Sequence, residues 1–166
     1  TTRVGGGPFP TEDLGVDGKR MQDRGHEFGT VSGRPRRCGW LDLPMLKFAV
    51  RLNGTTELVL TKLDVLSGQS RLKVGVGYRL GGKKVSEYPA DSHLISKLKP
   101  EYISLPGWKE DISAVRKYGD LPKSARAYVE FIEKKLGVPV KMISVGPERR
   151  QIIVRKSQPG PRRARP

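Results

Sequence analysis

An α/β fold of strands and flanking helices, with one β-hairpin, is predicted by three patterns in the sequence. Leu72, Val74, Val76, Tyr78 and Leu80 alternate with Arg71, Lys73, Gly75, Gly77 and Arg79, the period of two of a strand with one wet face. Leu121, Ala125, Tyr128, Val129, Ile132 and Leu136 recur at helical spacing, with Pro122 near the start and Gly137 past the end, the usual asymmetry of helix boundaries. Leu58-Val59-Leu60 and Ile152-Ile153-Val154 are apolar runs of strand length.

Taken in order, Val4-Gly5-Gly6-Gly7-Pro8-Phe9-Pro10 suits neither helix nor central strand, because glycine entropy and proline geometry oppose both. It is a turn against which a ligand can lie, or a flexible linker. Residues 17–24 suit a short helix ended by Gly25. Residues 41–53 suit a second one: Leu43, Leu46, Phe48, Val50 and Leu52 share a face, Pro44 fits the first turn and Gly54 the stop. The basic stretch before it then runs straight into a helix amino end, whose unpaired amides favour an anion. Residues 58–60 read as a short buried strand delivering residues 61–64 at its carboxyl end, the side on which open α/β sheets hold ligands. Gly81-Gly82 turns residues 71–80 back into residues 83–88. Residues 138–145 form a strand that stops at Ser144-Val145-Gly146-Pro147, and residues 152–154 close the ordered part.

The 166 residues suit one domain, residues 1–155, and 36% hydrophobic with 30% charged is ordinary for a globular chain. A net charge of +15 points to phosphorylated or polyanionic partners. Arg149, Arg150, Arg155, Lys156, Arg162, Arg163 and Arg165 oppose only Glu148 at the carboxyl end, and residues 156–166 read as a basic, proline-containing disordered tail. A nucleic-acid-binding module is the alternative this charge suggests, but no aromatic stacking residue lies in the tail. The single Cys38 rules out an internal disulfide, and His26 and His93 lack metal-ligand spacing. A reducing, cytoplasmic setting is expected, and no apolar run approaches the roughly 20 residues that span a bilayer. The chain opens on Thr1 and turns at once through glycines, so sequence upstream is expected.

Two stretches carry chemistry. Gly33-Arg34-Pro35-Arg36-Arg37-Cys38-Gly39-Trp40 sets three guanidiniums on one stiff turn, each with five fixed donors and a permanent charge, a natural partner for carboxylate or phosphate. Arg34 and Arg36 can share a face while Arg37 points away to a structural role, and Trp40 and Cys38 are packing residues. Lys62-Leu63-Asp64, taken as extended, sets a carboxylate and an ammonium stem beside one planar ring. Guanine offers two parallel donors that one carboxylate can accept, at about 1.5 to 3 kcal/mol per charge-assisted bond, whereas adenine leaves that carboxylate unpaired. At this level a solvated charge run explains the arginines equally well, and a surface salt bridge explains Lys62 and Asp64.

The successive stretches TRVGGGPFPTE, RGHEFGTVSGRPRRCGWLDL, LTKLDVL, LPGW and ISVGPERR closely resemble the carboxyl-terminal part of adenylosuccinate synthetase, from Thr2 to about Val154. The resemblance implies the carboxyl-terminal portion of a P-loop-GTPase-like mixed sheet flanked by helices. It also implies GTP-dependent ligation of L-aspartate to IMP, with magnesium as cofactor, in a homodimer. By motif, Thr30, Val31, Ser32, Gly33, Arg34, Pro35 and Arg36 form the aspartate loop; Arg34 and Val4 also face IMP. GTP falls to Arg36, to Lys62, Leu63 and Asp64, and to Ser144, Val145 and Gly146. The family's loop carries hydroxyls where this chain has Val31. The phosphate loop, the catalytic aspartate and histidine, the magnesium ligands and an arginine crossing the dimer belong to the family's amino-terminal part, so this chain contains no catalytic residue and alone is expected to be inactive. A non-catalytic form that pairs with full-length enzyme is a further alternative.

Overall fold

The computed structural model describes residues 7–89 and 91–155. The tail from residue 156 and the glycine turn up to Gly6, including Val4, lie outside them. The first sheet is built on β3 (Arg71–Leu80), whose alternating side chains bury Leu72, Val74 and Tyr78. Along one edge runs β5 (Lys99–Pro106), antiparallel; along the other lie β1 (Leu41–Asp42), parallel, and β4 (Lys83–Val85), which returns through Gly81-Gly82. The hairpin is thus real, but its return strand ends at Val85 rather than continuing to residue 88. In the second sheet β2 (Leu58–Leu60) is parallel to β6 (Val140–Ser144), and β7 (Ile152–Val154) is antiparallel to β6.

Among the described residues the α-helices are α1 (Val16–Arg24), α2 (Leu43–Leu52), the single turn α3 (Ser92–Ile95) and α4 (Lys123–Leu136). In α4 the apolar stripe Ala125, Tyr128, Val129 and Ile132 is buried. It joins one core with Leu72 and Val74 of the first sheet and Val140, Ile143 and Ile153 of the second. Gly137 ends α4 at φ 68, a left-handed position that glycine takes without a side-chain clash.

The amino end of α2 differs from the expectation. Two residues of strand come first, and the buried Asp42 carboxylate caps the helix, accepting from Met45 N at 3.0 Å and from the Tyr78 hydroxyl. A carboxylate of the chain itself therefore takes the place anticipated for a bound anion. Burial pushes the Asp42 carboxyl above its ordinary range, against the pull of the Tyr78 and Met45 hydrogen bonds.

β2 is also not the buried strand anticipated. Val59 is 59% exposed and, through the β2–β6–β7 register, lines up with Met142 (40%) and Val154 (67%). This row forms an apolar stripe on the sheet face opposite α4, beside the unpaired edge of β2 among the described residues.

Asp42→Ala removes a helix cap and strands the buried Tyr78 hydroxyl, so it is expected to cost about 2 to 3 kcal/mol in denaturant titration. Asp42→Asn keeps an acceptor for both donors. Because a carboxyl with a raised folded pKa loses stabilisation as pH rises through that value, the asparagine variant should approach or exceed wild-type stability at pH 7.

Candidate functional site

The basic loop is a narrow hairpin. Arg36 N donates to Glu27 O and Gly29 N to Arg34 O, both at 2.8 Å, with Phe28 bridged to Pro35. Gly33 N closes the tip on Gly29 O at 2.8 Å, with Gly33 at φ 62. Thr30, Val31, Ser32 and Gly33 are therefore the exposed tip, and Ser32 Oγ accepts from Arg34 N at 3.3 Å. Val31 is fully exposed. Behind the loop, Trp40 N donates to Thr11 O and Asp13 N to Cys38 O, both at 3.0 Å. A Cβ at Gly39 would meet Thr11 O at 2.2 Å, so only glycine allows this approach. Trp40 is buried, its indole donating to Asp13 at 2.8 Å, and Cys38 packs against the core.

The three arginines have different surroundings. Arg37 pairs with the nearly buried Glu12 at 3.3 Å, a bracing contact. Arg36 pairs with Glu27 at 3.0 Å. Among the described residues the exposed Arg34 guanidinium has no hydrogen-bond or ion-pair partner, which leaves it available to an anion.

The Lys62-Leu63-Asp64 segment is not extended. Lys62 sits at φ 59 and residues Leu63–Leu66 form a 3-10 turn, so Lys62 and Asp64 do not lie together on one strand face. Leu63 is buried in the core and can offer a ligand only its main chain. Lys62 N donates to Ser144 Oγ at 2.7 Å across 82 residues of sequence, joining the two loops that end β2 and β6. Beyond Ser144, Val145 is fully buried and its N donates to Gln151 O at 2.9 Å, while a Cβ at Gly146 would run into the Gln151 side chain at 2.3 Å. Gln151 in turn donates to Ser113 O at 3.1 Å.

Asp64 Oδ1 is shielded from solvent and has no hydrogen-bond partner among the described residues. Burial lifts the Asp64 carboxyl above its ordinary value, outweighing its own backbone N–H and the charge of Arg24. A buried acceptor without a donor is costly, and it matches a ligand that brings donors.

Glu27, which no sequence pattern singled out, joins the two halves. Its carboxylate accepts from Lys62 Nζ on one oxygen and from Arg36 on the other. The Lys62 ammonium, whose stem was anticipated beside a planar ring, is held here by Glu27 and by Gly25 O at 2.7 Å. Hairpin pairing of residues 28 and 35 would have set Glu27 beside Arg36, a signal legible only once that turn is known. A cleft of about 330 Å³ between Lys47, Val50, Arg51, Gly54, Thr55 and Leu136 contains none of these residues.

Comparison with known proteins gives these loops a context. A family model described as adenylosuccinate synthetase matches residues 1–153. The adenylosuccinate synthetase of Halothermothrix orenii is 55% identical over 157 residues, covering 95% of this chain and 37% of the relative. A chloroplastic form from rice is 54% identical over 154 residues, covering 92% of this chain and 32% of its own length. The solved structure of fully ligated adenylosuccinate synthetase from Plasmodium falciparum superposes with a TM-score of 0.87 at 42% identity, over 93% of this chain and 37% of that one. The chain thus spans about a third of the length of the relatives it matches.

The Asp64 environment sets a pH-dependent cost. Its raised folded pKa means that stability falls as pH climbs from the ordinary 3.8 through the folded value. Asp64→Asn is therefore expected to melt at or above the wild-type temperature at pH 7, with the advantage shrinking toward pH 3.5. A lower melting temperature for the variant at pH 7 would show that the carboxylate is satisfied.

Proposed function

This chain belongs to the adenylosuccinate synthetase family, and we propose that it supplies the aspartate loop and guanine pocket of a GTP-dependent ligase. That enzyme joins L-aspartate to IMP and releases adenylosuccinate, GDP and phosphate. The observation that carries this reading is the buried, unpartnered Asp64 oxygen beside the junction of the β2 and β6 loops. Guanine N1–H and its exocyclic amine are the paired donors such an oxygen lacks. Adenine has an acceptor at that edge and would leave the carboxylate unpaired. Main-chain groups of Leu63, Val145 and Gly146 would frame the ring, and the stem of Lys62 would lie along its face.

In the proposed reaction the 6-oxygen of IMP takes the terminal phosphoryl group of GTP, and the aspartate amine then displaces that phosphate at carbon 6. The part played by this segment is to hold and neutralise charge. Arg34, the unpaired cation of the loop, would grip the aspartate carboxylate, with Thr30 and Ser32 at the tip offering hydroxyls and residue 31 only its main chain. Arg36 would face GTP. Val4 is assigned to IMP by its motif. Magnesium, which the family implies, would neutralise phosphate charge. Its ligands are proposed, by the family resemblance, to lie in the family's amino-terminal part. A homodimer belongs to the same proposal.

Replacing the matching third of the Halothermothrix orenii enzyme with residues 1–155 tests the reading directly. The chimera should form adenylosuccinate from IMP, aspartate and GTP, detected by chromatography; a folded chimera without product refutes the proposal. Within it, Asp64→Asn should cut the preference for GTP over ATP by about tenfold or more. Arg34→Leu should lower kcat/KM for aspartate by about a hundredfold, and unchanged kinetics would remove Arg34 from the site.

A further inference from the structure

We propose that Glu27 is a positioning residue that couples the guanine segment to the aspartate loop, so that a guanine nucleotide at Lys62 is felt in residues 28–36. The inference rests on the guanine reading of Lys62 and Asp64 and adds a residue that this reading does not use. Its geometry is specific. One carboxylate oxygen takes the Lys62 ammonium and the other takes Arg36 at 3.0 Å, so a single group fixes the relative position of two cations from separate segments. The Glu27 carbonyl also accepts from Arg36 N at 2.8 Å, and Gln22 Nε2 donates to Arg36 O at 2.7 Å, so the root of the hairpin moves with the carboxylate.

Backbone conformation marks the same place. The non-glycine residues with positive φ among those described are His26 at 48 and Lys62 at 59, one the neighbour of Glu27 and the other its ion partner. Such backbone is unfavourable for residues with side chains and persists where surroundings enforce it. Stability does not account for the arrangement, since Lys62 and Arg36 are 46% and 54% exposed and exposed ion pairs contribute little. Burial would raise the Glu27 carboxyl, but the Lys62 and Arg36 hydrogen bonds outweigh it and hold the group below its ordinary value, ionised and engaged. When guanine lies along Lys62, the ammonium must adjust to the ring and Glu27 shifts its hold on Arg36.

Amide hydrogen exchange on the full 166-residue chain, with and without millimolar GTP, tests the coupling. In the wild type GTP should slow exchange in residues 62–66 and also in residues 28–36. Glu27→Gln should keep the slowing at 62–66, with the GTP dissociation constant changed no more than about fivefold, and lose it at 28–36. Glu27→Asp, which keeps the charge, should restore part of it and serves if the glutamine variant does not fold. Protection of 28–36 by GTP that survives in Glu27→Gln overturns the inference, as does loss of protection in both segments together, which marks a purely structural role. GTP protecting 62–66 but not 28–36 in the wild type overturns the coupling and leaves the guanine reading standing. Protection of neither segment removes both.

Discussion

Parallel pairing of β2 with β6 is the constraint from which the site follows. Parallel strands end on the same side of a sheet, so the turn after Leu60 and the loop after Ile143 must emerge together although they are far apart in sequence. The bond from Lys62 N to Ser144 Oγ is the local consequence of that register. The pairing needs the intervening chain to cross over, and α4 supplies the crossover while burying its apolar stripe beneath β6 and β7. In the other sheet β1 pairs with β3 in the same parallel sense, which places the chain leaving the arginine loop at Asp42, with the Tyr78 hydroxyl upon it. The loop is thus anchored at its exit by a buried hydrogen bond and at its root by Glu27.

Across the loop the arginines run from bound to free. Arg37 is tied to a nearly buried glutamate, Arg36 to a half-buried one, and Arg34 stands in solvent without a partner among the described residues. Such a gradient positions the last cation while leaving it uncommitted, the arrangement that charge recognition requires. Asp64 is the complementary case, an acceptor prepared without a donor. Asp64 shares this lack of a partner with other shielded polar atoms, Asp42 Oδ2, Thr11 Oγ1 and Gln69 Nε2 among them, but it alone of these lies beside the junction of the β2 and β6 loops.

Much of this was legible in residue patterns, and the exceptions have physical causes. The two-residue period of 71–80 and the stripe of 121–136 yielded β3 and α4 directly, because each buries one face and its sequence must say so. β5 went unrecognised since Pro100 and Pro106 sit within it, and proline usually argues against strand; here the pairing with β3 tolerates both. The turn at Leu63–Leu66 was missed because nothing in Lys62 announces a left-handed backbone. Of the proposed site, Arg34 and Asp64 were marked by residue type and spacing, and Ser144 by the family resemblance. Glu27 was not, since its role exists only after the hairpin and the β2 end have folded toward each other.

The apolar row of Val59, Met142 and Val154 has a colloidal consequence. Exposed hydrophobic side chains beside an open strand edge attract like surfaces, whatever the function of the protein. At +15 each molecule repels its copies over about 10 Å at 0.1 M salt, and added electrolyte shortens that reach. The solution behaviour of this chain is therefore a balance of two surfaces, one adhesive and one electrostatically repulsive, with ionic strength setting which of them another molecule meets first.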